Sequence, residues 1–166
     1  YFLFCVIIIT QRKIMDNKDL LKSGIGMKLV RVGKMTRAIA TQRFTKENFP
    51  LTPEQYTVLT AILDHDGLYQ RQISAITLKD RPNITRIINI LEKTGFVTRT
   101  SDVNKRKIIK INITEKGKKA YNQALPTVLE LWQESVEGVS DEELQSCLKV
   151  LNKIKVNLEE KLNIQI

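Results

Sequence analysis

The sequence predicts a mainly α fold with a small β-hairpin wing, with long helices at both ends of a compact middle. Three observations predict it. Apolar residues recur at helical spacing over most of the 166 residues. Between Gln70 and Thr114 the order is short helix, turn, apolar-striped helix ending at Gly95, strand, basic turn, strand. That is the order of a winged helix-turn-helix. The charge agrees: residues 70–119 hold thirteen Lys/Arg against four Asp/Glu, a surplus of nine that equals the +9 of the whole chain. A basic block confined to one unit is the footprint of a nucleic-acid reader.

The elements follow in order. Leu21, Ile25, Leu29, Val32, Met35, Ile39 and Phe44 recur at helical spacing from Asp19 to about Asn48. Gly24, Gly26 and Gly33 each weaken this helix by about 1 kcal/mol against Ala, so a kinked or frayed first third is expected. Pro50 ends it. Thr52-Pro53-Glu54-Gln55 starts the next helix, with Thr52 and Gln55 as a capping box and Pro53 in the first turn. Tyr56, Leu59, Ile62 and Leu63 point inward, and His65-Asp66-Gly67 is the stop. Gln70 to about Thr77 is a short helix and Leu78 to Asp80 a turn. Asp80 caps the helix from Arg81 to Thr94, whose Ile84, Ile87, Ile88 and Leu91 form one apolar stripe. Ile90 lies off that stripe, and its spacing gives no account of it.

Phe96 to Thr100 and Lys107 to Ile113 are the strand candidates. Ile109, Ile111 and Ile113 alternate with Lys110 and Asn112, the period of a half-buried strand. Residues 101–106 are turn formers with a cationic tip. Thr114 caps a helix carrying Tyr121, Leu125, Val128, Leu129, Trp132 and Val136, with an expected kink at Pro126 and an end at Gly138. Ser140 to Glu143 is a second capping box. The last helix carries Leu144, Cys147, Leu151, Ile154, Leu158 and Leu162 in a coiled-coil-like seam. Such seams need a partner. An intertwined homodimer through Leu21, Ile25, Leu144, Leu151, Ile154, Leu158 and Leu162 is expected over packing on the chain's own first helix.

The domain reading is therefore residues 15–50 as an N-terminal dimerisation helix, 51–114 as a winged helix-turn-helix DNA-binding region, and 115–166 as C-terminal dimerisation helices. Tyr1 to Ile9 is apolar but too short to span a bilayer, which takes about 20 residues. Arg12 and Lys13 follow the apolar run, whereas a signal peptide carries its positive charge before it. Residues 1–14 are expected to be a non-native or disordered extension with Met15 the natural start. A membrane-tethering stub is the alternative.

Other classes have little support. Two far-apart cysteines, Cys5 and Cys147, make no disulfide framework, and Cys147 is read as a small core residue. His65 is the only histidine and no CxxC is present, so no metal is expected. No nucleophile, base and oxyanion set is visible; no enzyme, catalytic residue or cofactor is expected. A cytoplasmic, nucleoid-associated location follows, with no membrane partner.

The helix from Arg81 exposes groups suited to a major groove. Arg86 matches guanine O6 and N7, Asn83 suits adenine, and Thr85 offers a hydroxyl and a methyl. Arg81 is the fourth base reader. Lys79, Asn89, Lys93 and Lys110 are placed for phosphates, which position a protein without reading sequence. Asn104, Lys105, Arg106 and Lys107 form a tip for the minor groove, where narrow A·T-rich stretches concentrate negative potential. A winged helix that binds protein or RNA instead is the alternative reading.

Four runs carry a resemblance. They are Leu51-Thr52-Pro53-Glu54-Gln55-Tyr56, Arg81-Pro82-Asn83-Ile84-Thr85-Arg86, Leu91-Glu92-Lys93-Thr94-Gly95-Phe96-Val97-Thr98-Arg99 and Ile113-Thr114-Glu115-Lys116-Gly117. In that order they resemble the MarR (multiple antibiotic resistance regulator) family over about residues 19–162. The resemblance implies a homodimer held by its terminal helices on a pseudo-palindromic operator, usually as a repressor. It also implies release by a small, often aromatic or phenolic, effector near the junction of the dimer and DNA-binding regions. The wing departs from the family pattern of Asp, any residue, Arg: the matching positions are Lys105, Arg106 and Lys107. Asp102 is the remaining wing acid, open to pairing with Arg99 as wing support. Either Arg106 or Lys107 then takes the groove-reaching role. Redox sensing is not implied, because Cys5 lies too far upstream.

Overall fold

In the computed structural model the described residues are 17–65, 67–102 and 105–162. The expected extension, residues 1–14, lies outside them. The chain divides into two units, residues 1–40 and 41–166.

The first unit contributes most of helix α1, Asn17–Lys46. One α-helix runs through Gly24, Gly26 and Gly33, so the first third is not frayed at these glycines. Their propensity cost is a few kcal/mol at most, and a 30-residue helix has many other residues to offset it. Leu21, Ile25, Leu29, Val32, Met35 and Ile39 are all exposed.

The second unit holds the remaining elements: α2 (Pro53–Leu63), β1 (Leu68–Tyr69), α3 (Gln70–Thr77), α4 (Arg81–Lys93), β2 (Val97–Asp102), β3 (Lys105–Ile113), α5 (Glu115–Ser135) and α6 (Asp141–Leu162). Caps set most of the starts. Thr52 and Gln55 form the predicted reciprocal box, with Gln55 N–H donating to Thr52 Oγ1 at 3.3 Å and Thr52 N–H to Gln55 Oε1 at 2.9 Å. Asp80 Oδ1 accepts from Asn83 N–H at 2.8 Å, and Thr114 Oγ1 from Gly117 N–H at 3.0 Å. Ser140 and Glu143 repeat the box at α6.

The three strands form an antiparallel sheet in the order β1-β3-β2. β1 is an addition to the expected hairpin: Leu68 pairs with Ile111 and Tyr69 with Lys110. The strands β2 and β3 also run further than predicted, until Asp102 faces Lys105. Ile111 is fully buried, but Ile109 on the same face is 50% exposed. The alternating pattern gave the face correctly; the wing simply outruns the core beneath it.

That core joins Leu59 and Ile62 of α2, Ile73 of α3, the α4 stripe Ile84, Ile87, Ile88 and Leu91, and Val97 and Ile111 of the sheet. Ile90 is exposed, consistent with its place off the stripe. The helix α6 buries no residue, and Cys147 is exposed, so it is not the core residue expected from its spacing. Among the described residues no helix is long and apolar enough to cross a membrane.

An aromatic stack links the end of α1 to α2 and α5. Phe44 meets Phe49 and Tyr56 edge-on, and Tyr56 stacks on Tyr121 with centroids 4.6 Å apart. Burial, then the hydrogen bond and charge of Tyr121, pushes the Tyr56 phenol well above the ordinary tyrosine range. The unfolded chain therefore loses this proton first as pH rises. The stabilisation is complete below the unfolded value near about 10 and is lost as pH climbs towards the raised folded value. In an alkaline titration, tyrosinate absorbance is expected to show one lagging step that coincides with loss of helical circular dichroism. Tyr56→Phe is expected to remove that step. Complete ionisation of all tyrosines before any unfolding would contradict the burial argument.

Candidate nucleic-acid interface

The interface is assembled from α3, its turn and α4. Leu78 takes a left-handed conformation, φ 52°, which lets three residues reverse the chain. Ser74 Oγ donates to the Lys79 carbonyl at 2.5 Å and fixes the turn from inside. Asp80 then caps α4, whose apolar stripe locks it to the core and leaves the opposite face in solvent.

On that face the predicted base readers are brought together. Arg81, Thr85 and Arg86 are exposed, and Asn83 is half-buried. Arg86 Nη2 donates to Asn83 Oδ1 at 3.0 Å, so the two act as one polar unit. Thr85 Oγ1 donates to the Arg81 carbonyl at 2.8 Å and accepts from Gln70 Nε2. The Thr85 hydroxyl is thus occupied by two partners within the protein. Gln70, at the first position of α3, was missed by sequence reasoning; only the packing of α3 across α4 shows it.

The phosphate candidates divide. Lys93 is exposed and Lys110 half-buried on β3. Lys93 borders an open depression of about 500 Å³ with Phe96, Lys116 and Lys119. Asn89 Oδ1 accepts from Arg99 Nη2 at 2.6 Å. The Lys79 side chain is only 16% exposed, with Nζ 3.5 Å from Glu54 Oε1. Glu54, in the first turn of α2, also faces Arg86, with Oε2 3.6 Å from Nη2. Nothing in the sequence spacing points to this carboxylate.

The wing is anchored by Arg99. Its guanidinium donates to Glu92 and Asn89 on α4. The wing calls on Asn104 and on the side chains of Asp102, Lys105, Arg106 and Lys107 lie outside the described residues. At the far end of α4, Lys116 Nζ donates to the Thr94 carbonyl at 2.7 Å and lies over the Phe96 ring. Thr114 Oγ1 donates to the Gly95 carbonyl at 2.7 Å. The helix α4, strand β2 and helix α5 are therefore joined by hydrogen bonds as well as by core packing.

Comparison with known proteins agrees with this geometry. The MarR family model matches residues 49–108, which span α2 to the wing. The helix-turn-helix transcriptional regulator YybA of Bacillus subtilis is 28% identical over 129 residues, covering 77% of this chain and 86% of its own. The transcriptional regulator SlyA is 27% identical with a TM-score of 0.75, covering 82% of this chain and 95% of its own. The chain is thus similar to MarR-family regulators, with the family model itself matching residues 49–108. The fold and the relatives are those of DNA-binding transcriptional regulators, not of enzymes. A further similar structure is CouR of Rhodococcus jostii bound to p-coumaroyl-CoA, 26% identical with a TM-score of 0.68, covering 88% of this chain and 96% of its own.

Proposed function

We propose that this protein is a homodimeric repressor of the MarR type that holds a pseudo-palindromic operator and releases it when a small-molecule effector binds. The observation that carries the DNA reading is the exposed polar face of α4. Arg86 is 61% exposed there and oriented by Asn83. Arg81, Asn83, Thr85 and Arg86 read bases in the major groove. Lys93, Lys110 and Asn89 contact phosphates, and Lys105 to Lys107 enter the minor groove. The protein acts in the cytoplasm, on the nucleoid.

The dimer is supported by apolar side chains left in solvent on the terminal helices. Leu21 and Ile25 of α1 and Leu151, Leu158 and Leu162 of α6 are exposed in the single chain. Continuous apolar faces of that extent mark association surfaces. Two reading heads must then sit about 34–36 Å apart, one turn of DNA. An effector that favours another spacing by a few kcal/mol empties the operator. CouR, bound to an aromatic acyl-CoA, supports an aromatic effector class.

Selection of bound fragments from random duplex DNA tests the reading directly. An enriched two-fold-symmetric sequence is expected. Against it, Arg86→Ala is expected to cost about 1–3 kcal/mol per protomer and to relax preference at one base pair in each half-site. Undiminished preference would show that α4 is not the reading element.

A further inference from the structure

We propose that Glu54 is a positioning residue for sequence discrimination: its carboxylate steadies Arg86 for base contact and keeps Lys79 from the phosphate backbone. The proposal rests on the reading of Arg86 given above.

One carboxylate serves two cations from different segments. Oε1 lies 3.5 Å from Lys79 Nζ in the turn, and Oε2 lies 3.6 Å from Arg86 Nη2 on α4. Arg86 Nη2 is also held by Asn83 Oδ1 at 3.0 Å. A long, flexible guanidinium is thereby restrained at one end by two acceptors. Such restraint lowers the ordering cost of a bidentate contact with guanine. The same carboxylate has the opposite effect on Lys79. With the lysine side chain 16% exposed and the glutamate 24% exposed, the pair is partly shielded from water and resists screening. A neutralised Lys79 releases little counterion on binding. The negative charge also repels any phosphate that approaches without a base contact to compensate. Both effects weaken non-specific binding more than specific binding, which is how discrimination is raised.

A purely structural role is a poor match. The start of α2 is held by the Thr52–Gln55 box, which does not use the Glu54 side chain. The packing of α2 against α4 is carried by Leu59, Ile62, Ile84 and Ile88 in the core. The Arg86 end of the bridge is largely exposed, and such bridges add little to stability.

The test compares full-length wild type with Glu54→Gln on two duplexes, one selected from a random pool by the wild-type protein and one of scrambled sequence. In Glu54→Gln, binding to the scrambled duplex is expected to tighten. Its log K against log salt slope is expected to steepen by about 0.9 for each lysine released to a phosphate. The ratio of selected to scrambled affinity is expected to fall towards that of Arg86→Ala. Lys79→Met is expected to leave the wild-type slope unchanged and to cancel the steepening in the Glu54→Gln background. Thermal melting close to wild type separates these effects from misfolding. If Arg86→Ala lowers the ratio but Glu54→Gln leaves ratio and slope alone, the proposal is overturned while the operator reading stands. If Arg86→Ala leaves the ratio intact, both fall together.

Discussion

Gly117→Ala is expected to destabilise this protein by about 3 kcal/mol or more, through overpacking that neighbouring atoms cannot relieve. A Cβ at this position would overlap the carbonyl oxygen of Phe96 and crowd Ile113 Cγ1. The carbonyl is backbone and is pinned: Thr114 N–H donates to it at 3.0 Å and Thr114 Oγ1 at 3.2 Å. Relief would require pulling the start of α5 away from β2, which breaks those bonds and the cap at Gly117 N–H. Gly95 supplies the internal comparison. It adopts φ +76°, but an added Cβ would meet only the flexible end of Lys116 at 3.8 Å. Gly95→Ala is therefore expected to carry the left-handed backbone cost alone, about 1 kcal/mol. Urea denaturation of both variants checks the ordering; equal midpoints would mean that α5 can slide off Phe96 freely.

Operator affinity is expected to collapse with salt. If the proposed dimer sets about 6–10 cations on phosphates, affinity falls about 10³–10⁵-fold between roughly 50 and 200 mM salt. The charge distribution makes this expectation specific, because residues outside 70–119 hold equal numbers of bases and acids. Long-range attraction to DNA therefore resides in the winged segment. Titrating a fluorescent duplex at several salt concentrations gives the slope directly. Lys93→Ala is expected to reduce it by about 1 per protomer with no change in base preference. A flat salt response would exclude phosphate contact as the main source of affinity.

Much of the fold is legible in the sequence where the chemistry is local. Thr52 with Gln55, Asp80, Thr114 and Ser140 with Glu143 each announce a helix start, because a cap satisfies amides within three residues of itself. The α4 stripe is equally legible from Ile84, Ile87, Ile88 and Leu91. Two residues have no period, so β1 is invisible until Leu68 and Tyr69 find β3. Ile109 fails for a different reason: alternation assigns a face but not the distance over which the core extends. The polar network fails for a third. Glu54 meets Lys79 and Arg86, and Gln70 meets Thr85, across separations that only the packing of α2, α3 and α4 can close. Sequence reasoning therefore identifies the groups suited to face DNA but not those that restrain them.

Arg99 sits on β2 and reaches two residues of α4, so the strand and the helix it braces turn as one piece. If α4 lies in the major groove as proposed, such a piece behaves like a ruler with two fixed marks, one on the helix and one on the strand. It has little slack with which to follow a duplex whose grooves are spaced differently. The adjustment then falls on the DNA, in the base pairs between the two marks, and its cost depends on how easily those steps bend or narrow. Part of the operator's sequence would on this view be chosen by stiffness alone, at positions that no side chain touches.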